Sequence, residues 1–451
     1  MINVRRFVPR VLHNLRHWLY AWWGSVIYRQ PSQELLVIGV TGTSGKSTTV
    51  YLLRQLLEAA GHTVGALSTI EFYLAGNSKL NDKKMTMLGR TQIQKYLRAM
   101  VRAKCDIAII ETTSEGAVQF RHRFVNYDTI VLTNLYPEHI ESHGSFDAYK
   151  AAKLGIFSYV ANGQRKKLNG VQVPKTAIVY GHSEYAPEFL AYPFEKKIVF
   201  GRADKPMRLD AGTHDRLQAS AIRATSDGLY FSVEDQALHA PILGAHNVMN
   251  ILSALVVARS LGIGWPTIAK AVTQFRAVPG RLEFISEARS LGIRVMVDYA
   301  FEPVAIEALY QVIKSFQPKK IIHVFGAAGG GRDRARRAIL GKFIGEQAQI
   351  CLVTNEDPYD EDPMAIVQEV ASAVRSAGKI DDETLFIIGD RRDAIEKAIG
   401  LASPGDMVLI TGKGSEQGIV ARGRIIPWDD RVVARQIIIE ELALQPQYEI
   451  K

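Results

Sequence analysis

The stretch from Val37 to Gly61 constrains this chain more than any other. A short apolar run, Leu35 to Val40, leads into the turn Thr41-Gly42-Thr43-Ser44-Gly45 and then Lys46-Ser47-Thr48-Thr49. Apolar residues follow at helical spacing: Val50, Leu52, Leu53, Leu56 and Leu57. The pattern predicts strand, phosphate loop, helix. Gly42 and Gly45 let backbone N–H groups approach a polyphosphate, and the helix points its positive end at it. Lys46 is placed to reach the β- and γ-phosphates and the Ser47 hydroxyl to bind Mg²⁺. The common phosphate-loop pattern has a small residue five positions before Gly45; here it is Val40.

With 451 residues, 47% of them hydrophobic, the chain has material for two or three domains. Its net charge of +9 points to acidic or phosphorylated ligands. Lys and Arg are spread along the sequence and no nucleic-acid-reading motif is present, which argues against DNA or RNA as partner. Cys105 and Cys351 are the only cysteines, both in apolar, strand-like runs, so neither a disulfide framework nor a zinc site is expected. No apolar stretch approaches the ~20 residues of a membrane-spanning helix.

Residues 1–33 read as a basic amphipathic helix. Val4, Phe7, Val11, Leu15, Trp18, Trp22 and Val26 recur at helical spacing, interleaved with Arg5, Arg6, Arg10, Arg16 and Arg29, and the first acidic residue is Glu34. Two environments suit it: an anionic membrane surface, or the body of the protein with its tryptophans buried. No small-residue cleavage site follows, so a signal peptide fits poorly.

From residue 34 to 278 strand and helix patterns alternate. Runs at 64–70, 107–111 and 129–133 are expected to be buried parallel strands, with a helix over 91–103. Residues 219–234 read as a hairpin turning at Ser226-Asp227-Gly228, and helical periodicity returns over 247–262. Pro279-Gly280 marks a domain boundary. Residues 279–451 repeat the alternation, with strands expected at 293–299, 320–325, 349–354, 384–388 and 406–411. The fold class is therefore α/β: a central phosphate-loop domain with a parallel sheet, then a smaller Rossmann-like domain, preceded by the amphipathic helix.

Several blocks carry a more specific likeness. Thr41–Ser47 resembles the TGTxGK[ST] loop of the Mur ligase superfamily, whose members use ATP to join an amino acid to a carboxylate. Glu111 ends an apolar run, where α/β proteins place ligand-facing residues. ETTSEGAVQFRHR, from Glu111, resembles the ESSSxxLxQxR-like stretch of the muramoyl-peptide ligases, in which the Glu binds magnesium and Ser, Gln and Arg contact substrate. This implies those roles for Glu111, Ser114, Gln119 and Arg121. TNLYPEHIESHGSFDAYKAAK, Thr133 to Lys153, looks like TNLxxDHLDxHGSxxxYxxAK. There the first His, here His139, binds a second magnesium, and the Lys, here Lys153, is carbamylated into an anionic metal bridge. GAHNVMNILSAL resembles the helix start that holds adenine, which implies that role for Asn247 and Asn250; as plain structure His246-Asn247 would be a helix cap. VPGRLEF matches the PGRxE linker, so Arg281 and, in VMVDYA, Asp298 are implied nucleotide contacts. The nucleotide set thus comprises Thr41, Gly42, Thr43, Ser44, Gly45, Lys46, Ser47, Thr48, Asn247, Asn250, Arg281 and Asp298. VFGAAGGGRDRARR, TNEDPYDEDP and TGKGSEQ resemble the three loops that hold the incoming amino acid, which implies Arg332, Asp357, Tyr359 and Glu416.

The likeness runs from residue 35 to 445 and is greatest to the branch that adds the third residue of the peptidoglycan stem. It implies ATP and Mg²⁺, an acyl-phosphate intermediate, small-molecule substrates and closure about a hinge near Pro279-Gly280. A cytoplasmic enzyme is expected, at the inner face of the membrane if the N-terminal helix binds there, and the oligomeric state is left open with a monomer expected. Four departures stand out. The family's N-terminal uridine-nucleotide domain has no counterpart here, Phe301 replaces a His near the nucleotide, Tyr359 replaces an Arg that selects diaminopimelate, and Ser415 replaces the GKGHE histidine. They leave open a folate-like or poly-amino-acid acceptor, or an ATP-binding partner protein without ligase activity.

Overall fold

The computed structural model describes residues 10–137, 143–209, 214–330 and 334–444. Packing divides the chain after Arg276 into two compact units.

The first unit opens with helix α1 (Arg10–Ile27), strand β1 (Leu36–Thr41) and helix α2 (Lys46–Ala59). β2 (Val64–Leu67), β3 (Glu71–Leu74), β4 (Asn77–Leu80), α3 (Arg90–Arg102), β5 (Ile107–Glu111), α4 (Ser114–Val118) and β6 (Thr129–Leu132) follow. A small ribbon, β7 (Lys166–Leu168) and β8 (Val171–Val173), precedes β9 (Thr176–Tyr180), β10 (Lys196–Arg202), β11 (Asp215–Thr225), β12 (Gly228–Val233) and β13 (Gln236–Ala240). Apart from the ribbon these strands form one 11-stranded sheet, in the order β13-β12-β11-β10-β9-β6-β1-β5-β2-β3-β4. Pairing is parallel from β11 to β2 and antiparallel at both edges. Every residue of β5 and β6 is buried, which explains their unbroken apolar runs. The register Val40↔Glu111 and Thr41↔Leu132 aligns the carboxyl ends of β5, β1 and β6, the edge where such sheets bind ligands.

Two expectations are corrected here. The run 64–70 is not one strand: the Ser68 hydroxyl accepts from the N–H groups of Ile70 (3.2 Å) and Glu71 (3.1 Å), turning the chain into antiparallel β3. The tryptophans of α1 are not buried. The helix does pack on α3, but through Ala21, Gly24 and Ser25. A Cβ on Gly24 would lie 2.9 Å from Thr91 Cα, so the contact requires small residues and turns most of the bulky ones outward, while Trp18 keeps an edge-on contact with Phe124 at 5.3 Å. Trp18, Trp22 and Trp23 stay 41%, 41% and 58% exposed. Arg98 ties the end of α1 down, donating to the carbonyls of Tyr28 and Arg29, each at 2.9 Å.

The expected hairpin forms between β11 and β12, closed at Thr225↔Gly228, with an irregularity between Ser220 and Arg223. Cys105 and Cys351 are buried thiols; Cys105 precedes β5 instead of lying in a strand.

The second unit holds a six-stranded sheet: β14 (Glu283–Phe284), β15 (Arg294–Asp298), β16 (Ile321–Phe325), β17 (Ile350–Val353), β18 (Leu385–Ile387) and β19 (Met407–Thr411). Its order is β14-β15-β19-β16-β17-β18, antiparallel only at β14. An aliphatic core of Val295, Val297, Val324, Leu352, Val408 and Ile410 packs beneath the flanking helices.

Candidate active site

The loop between β1 and α2 is held in a shape that its glycines alone permit. Gly42 and Gly45 adopt φ of 150° and 77°. A Cβ on Gly42 would lie 1.9 Å from Thr133 Oγ1, and one on Gly45 2.1 Å from Asn250 Oδ1. Thr133 Oγ1 donates to Ser44 O at 2.7 Å. Asn134 Oδ1 accepts from the Thr43 and Ser44 N–H groups at 3.0 and 2.9 Å. Thr133 and Asn134 thus brace the loop from the end of β6, a role not read from the sequence although both stand in the TNL motif. Lys46 Nζ folds over the loop and donates to Gly42 O (3.0 Å) and Thr43 O (2.8 Å). Thr48 lies buried in the first turn of α2.

Beside the loop the Ser47 hydroxyl donates to Glu111 Oε1 at 2.9 Å. The other carboxylate oxygen accepts from Thr69 N (2.7 Å) and Thr69 Oγ1 (3.0 Å). Glu111 is only 2% exposed, an anion at the carboxyl end of its strand next to a serine hydroxyl. The pair fits Mg²⁺, which takes one or two protein oxygens and completes its shell with phosphate and water. Among the described residues no three His, Cys, Asp or Glu side chains cluster into a self-sufficient metal cage.

Lys153 lies beneath the same loop, 1% exposed, on the helix Phe146–Ala161 that Ser145 caps by accepting from Ala148 N. Its Nζ donates to Gly42 O at 2.9 Å and Thr41 Oγ1 at 3.4 Å, both uncharged acceptors. Burial, with Lys46 nearby, holds its pKa well below the usual lysine value. The neutral amine so favoured is the form that adds CO₂. Tyr149, one turn earlier, hydrogen-bonds Thr43 Oγ1 at 3.0 Å. His143 Nε2 meets Ser114 Oγ at 3.1 Å. His139 lies outside the described residues.

The expected acceptor contacts form a neighbouring group. Ser114 opens α4, whose N-cap, Thr113, accepts from Gly116 N. Gln119 Oε1 accepts from Arg121 Nε (3.1 Å) and Nη2 (2.7 Å), and Arg121 Nη1 also donates to the Met87 carbonyl. Arg90, which sequence reading did not single out, donates from Nε to Gln119 O at 2.7 Å. At the start of the helix Asn247–Ser260, Asn247 Nδ2 donates to Leu243 O (2.7 Å) and Asn250 Nδ2 to Asn247 Oδ1 (2.8 Å). His246 stands at the N-cap position of this helix, and its side chain makes no cap bond there.

The second unit gathers its own set. Lys413, fully buried, donates to Asp357 Oδ1 and Glu416 Oε2, each at 2.8 Å. Tyr299 donates to Glu416 Oε1 at 3.2 Å. Lys413 is the organising cation that sequence reading overlooked, inside the quoted TGKGSEQ block. Next to this group, burial pushes the Glu356 carboxyl up to about 7 despite Lys413 and Arg391. Tyr359 holds φ 53°, and its ring lies where a Cβ on Gly330 would fall, 2.7 Å from its Cγ. The Arg281 guanidinium stacks 4.2 Å from the Tyr299 ring centre, and its Nε has no hydrogen-bond partner among the described residues. Asp298 spends both oxygens on backbone N–H groups, of Leu282 (2.6 Å) and Ala300 (2.7 Å). Arg332 lies outside the described residues.

Residues 40–258 match the Mur ligase middle domain and residues 280–414 the Mur ligase, glutamate ligase domain. A UDP-N-acetylmuramyl-tripeptide synthetase of Roseiflexus sp. (strain RS-1) is 33% identical over 429 residues, covering 92% of this chain and 81% of the relative. The chain belongs to the Mur ligase family. Other Mur ligases agree: a UDP-N-acetylmuramoyl-L-alanyl-D-glutamate–2,6-diaminopimelate ligase of Clostridium botulinum is 30% identical, covering 92% and 80%. A solved structure of a ligase of that name superposes with a TM-score of 0.58 at 26% identity, covering 91% and 79%. Folylpolyglutamate synthase of Mycobacterium tuberculosis shares the fold, with a TM-score of 0.64 at 15% identity and 95% of each chain covered. As a Mur ligase this chain is an ATP-dependent enzyme that forms C–N bonds between small-molecule substrates.

Proposed function

We propose that this Mur ligase adds an amino acid to the free carboxylate of a muramoyl-peptide acceptor in peptidoglycan synthesis. The observation that carries the chemistry is the constellation of Lys46, Ser47, Glu111 and Lys153 around one glycine-braced loop. ATP supplies the γ-phosphoryl group, which the acceptor carboxylate takes up as ADP leaves, giving an acyl phosphate. The amino acid's amine then attacks the acyl carbon and expels phosphate. The loop N–H groups and Lys46 orient the phosphates, while Asn247 and Asn250 hold the base, the role that the motif likeness implies for them. Ser47 and Glu111 would hold one Mg²⁺, and His139 with a carbamylated Lys153 a second. Ser114, Gln119 and Arg121 contact the acceptor. In the second unit Arg332, Asp357, Tyr359 and Glu416 receive the amino acid, and Arg281 and Asp298 serve the nucleotide. The muramoyl acceptor is favoured by the names of the relatives and by the block from Glu111 to Arg121. ATP places the reaction in the cytoplasm, and the N-terminal helix brings the enzyme to the inner face of the membrane.

The test is phosphate release across a substrate panel. Release should require acceptor and amino acid together, because no acyl phosphate forms without a carboxylate in place. Vigorous release with ATP and Mg²⁺ alone would mean a simple ATPase, and turnover only with folate-like or poly-amino-acid acceptors would displace the muramoyl reading.

A further inference from the structure

Helix α1 is inverted relative to an ordinary surface helix. Surface helices turn their apolar stripe inward and their polar residues to water. Here the inward stripe is Ala21, Gly24 and Ser25. The opposite side presents Leu15, Leu19, Trp22, Trp23 and Val26 at spacings of three and four, 41–58% exposed. Five large apolar side chains on one outward stripe form a patch of the kind that marks an interaction site.

The surroundings say what the patch meets. Arg16 and Arg29 are exposed at its border. Five arginines and no Asp or Glu precede Glu34. Inboard, at the start of α3, the Nη2 of Arg90 is buried with no hydrogen-bond partner among the described residues. Burial first, then the like charges of Arg121 and Arg16, lowers its pKa to about 10. Among the described residues neither Arg16 nor Arg29 forms a salt bridge, so this edge keeps a positive charge. Indole rings combine an apolar body with one N–H donor, which suits the water–lipid boundary. No described helix is long and apolar enough to cross a membrane, and α1 at 18 residues fits one that lies along it.

We propose that the outward face of α1 docks on an anionic bilayer, with Leu15, Leu19, Trp22, Trp23 and Val26 entering the headgroup boundary and the flanking arginines pairing with lipid phosphates. This rests on the peripheral placement proposed above and confines it to one face of one helix.

The experiment sediments the full chain with vesicles of phosphatidylglycerol and phosphatidylcholine, and with phosphatidylcholine alone. Co-sedimentation with the anionic vesicles is expected, with a blue shift of tryptophan emission and release at about 0.5 M salt, where charges are screened. Trp22→Ser with Trp23→Ser should weaken binding by about tenfold or more, and Arg16→Glu should weaken it on anionic vesicles. Both variants are surface changes, and phosphate release with soluble substrates should stay at the wild-type rate, so failed docking and failed ligase chemistry are told apart. Absence of sedimentation at low salt would overturn the proposal, as would equal binding by the variants. So would a dimer in solution that depends on Trp22 and Trp23 and excludes vesicles.

Discussion

At the scale of single residues the loop works because two positions tolerate nothing larger than hydrogen. Gly45→Ala would face both a left-handed φ and the Asn250 oxygen at 2.1 Å. We expect it to lower ATP affinity by about tenfold or more, since such backbone strain costs ~1–3 kcal/mol; titration calorimetry checks this, and unchanged affinity would mean that the loop relaxes freely. Lys153 is the other decisive residue. In the proposed two-metal arrangement an ammonium beneath Lys46 would be repelled by the magnesium ions, whereas CO₂ added to the neutral amine would supply an anion. Lys153→Ala should cut ligation by about 10²–10³-fold, as losses of preorganised charge do, while ATP binding persists through Lys46 and the loop backbone. Short carboxylic acids should partly restore turnover. Full activity in the variant would refute the carbamate.

At the scale of elements, the site is assembled from the ends of strands. β6, β1 and β5 lie side by side in register, so Thr41 bonds Thr133 across 92 positions of chain while Glu111 pairs with Val40 at the same sheet edge. The loop after β17 is built likewise: Gly329 N donates to Asp357 O (2.8 Å), and Tyr359 fills the space over Gly330. Tyr359 lacks the two-pronged donor that an Arg offers a carboxylate. The incoming amino acid should therefore be lysine, ornithine or a small neutral one. Tyr359→Arg should shift preference toward diaminopimelate, measured as the ratio of kcat/KM values. A wild-type preference for diaminopimelate would assign that selection to another cation, with Arg332 and Arg336 the first to replace.

At the scale of the whole molecule, each unit buries one histidine among its described residues, and burial keeps it neutral. His122 in the first unit and His323 in the second both have pKa values lowered to about 3, against 6.5 for the free side chain. Below pH 6.5 the unfolded chain takes up these protons and the folded chain does not, so their contribution is whole above pH 6.5 and is lost as pH falls toward 3. Each should remove about 1.4 kcal/mol of stability per pH unit well inside that window. His323 bonds Tyr310 and Thr411, each at 2.9 Å. His323→Phe should lower stability at pH 7.5 and flatten its decline toward pH 5 in urea unfolding; an unaltered slope would exclude this histidine as a source.

Much of this was legible in the sequence because its causes are local. A glycine-spaced loop before Lys46-Ser47 needs only backbone freedom and a helix start. Strands buried on both faces announce themselves as unbroken apolar runs, and the ordered motif blocks carry the family. Whatever depends on which surfaces meet was decided by tertiary structure. The clamp of Thr133 and Asn134 on the loop closes across 89–91 positions in the chain. Lys413 reads as one more charged residue until Asp357 and Glu416 close on it. The periodicity of α1 reveals an apolar stripe but not the side from which the protein approaches. That was settled by close packing, which admits Gly24 against Thr91 and leaves Trp22 and Trp23 outside.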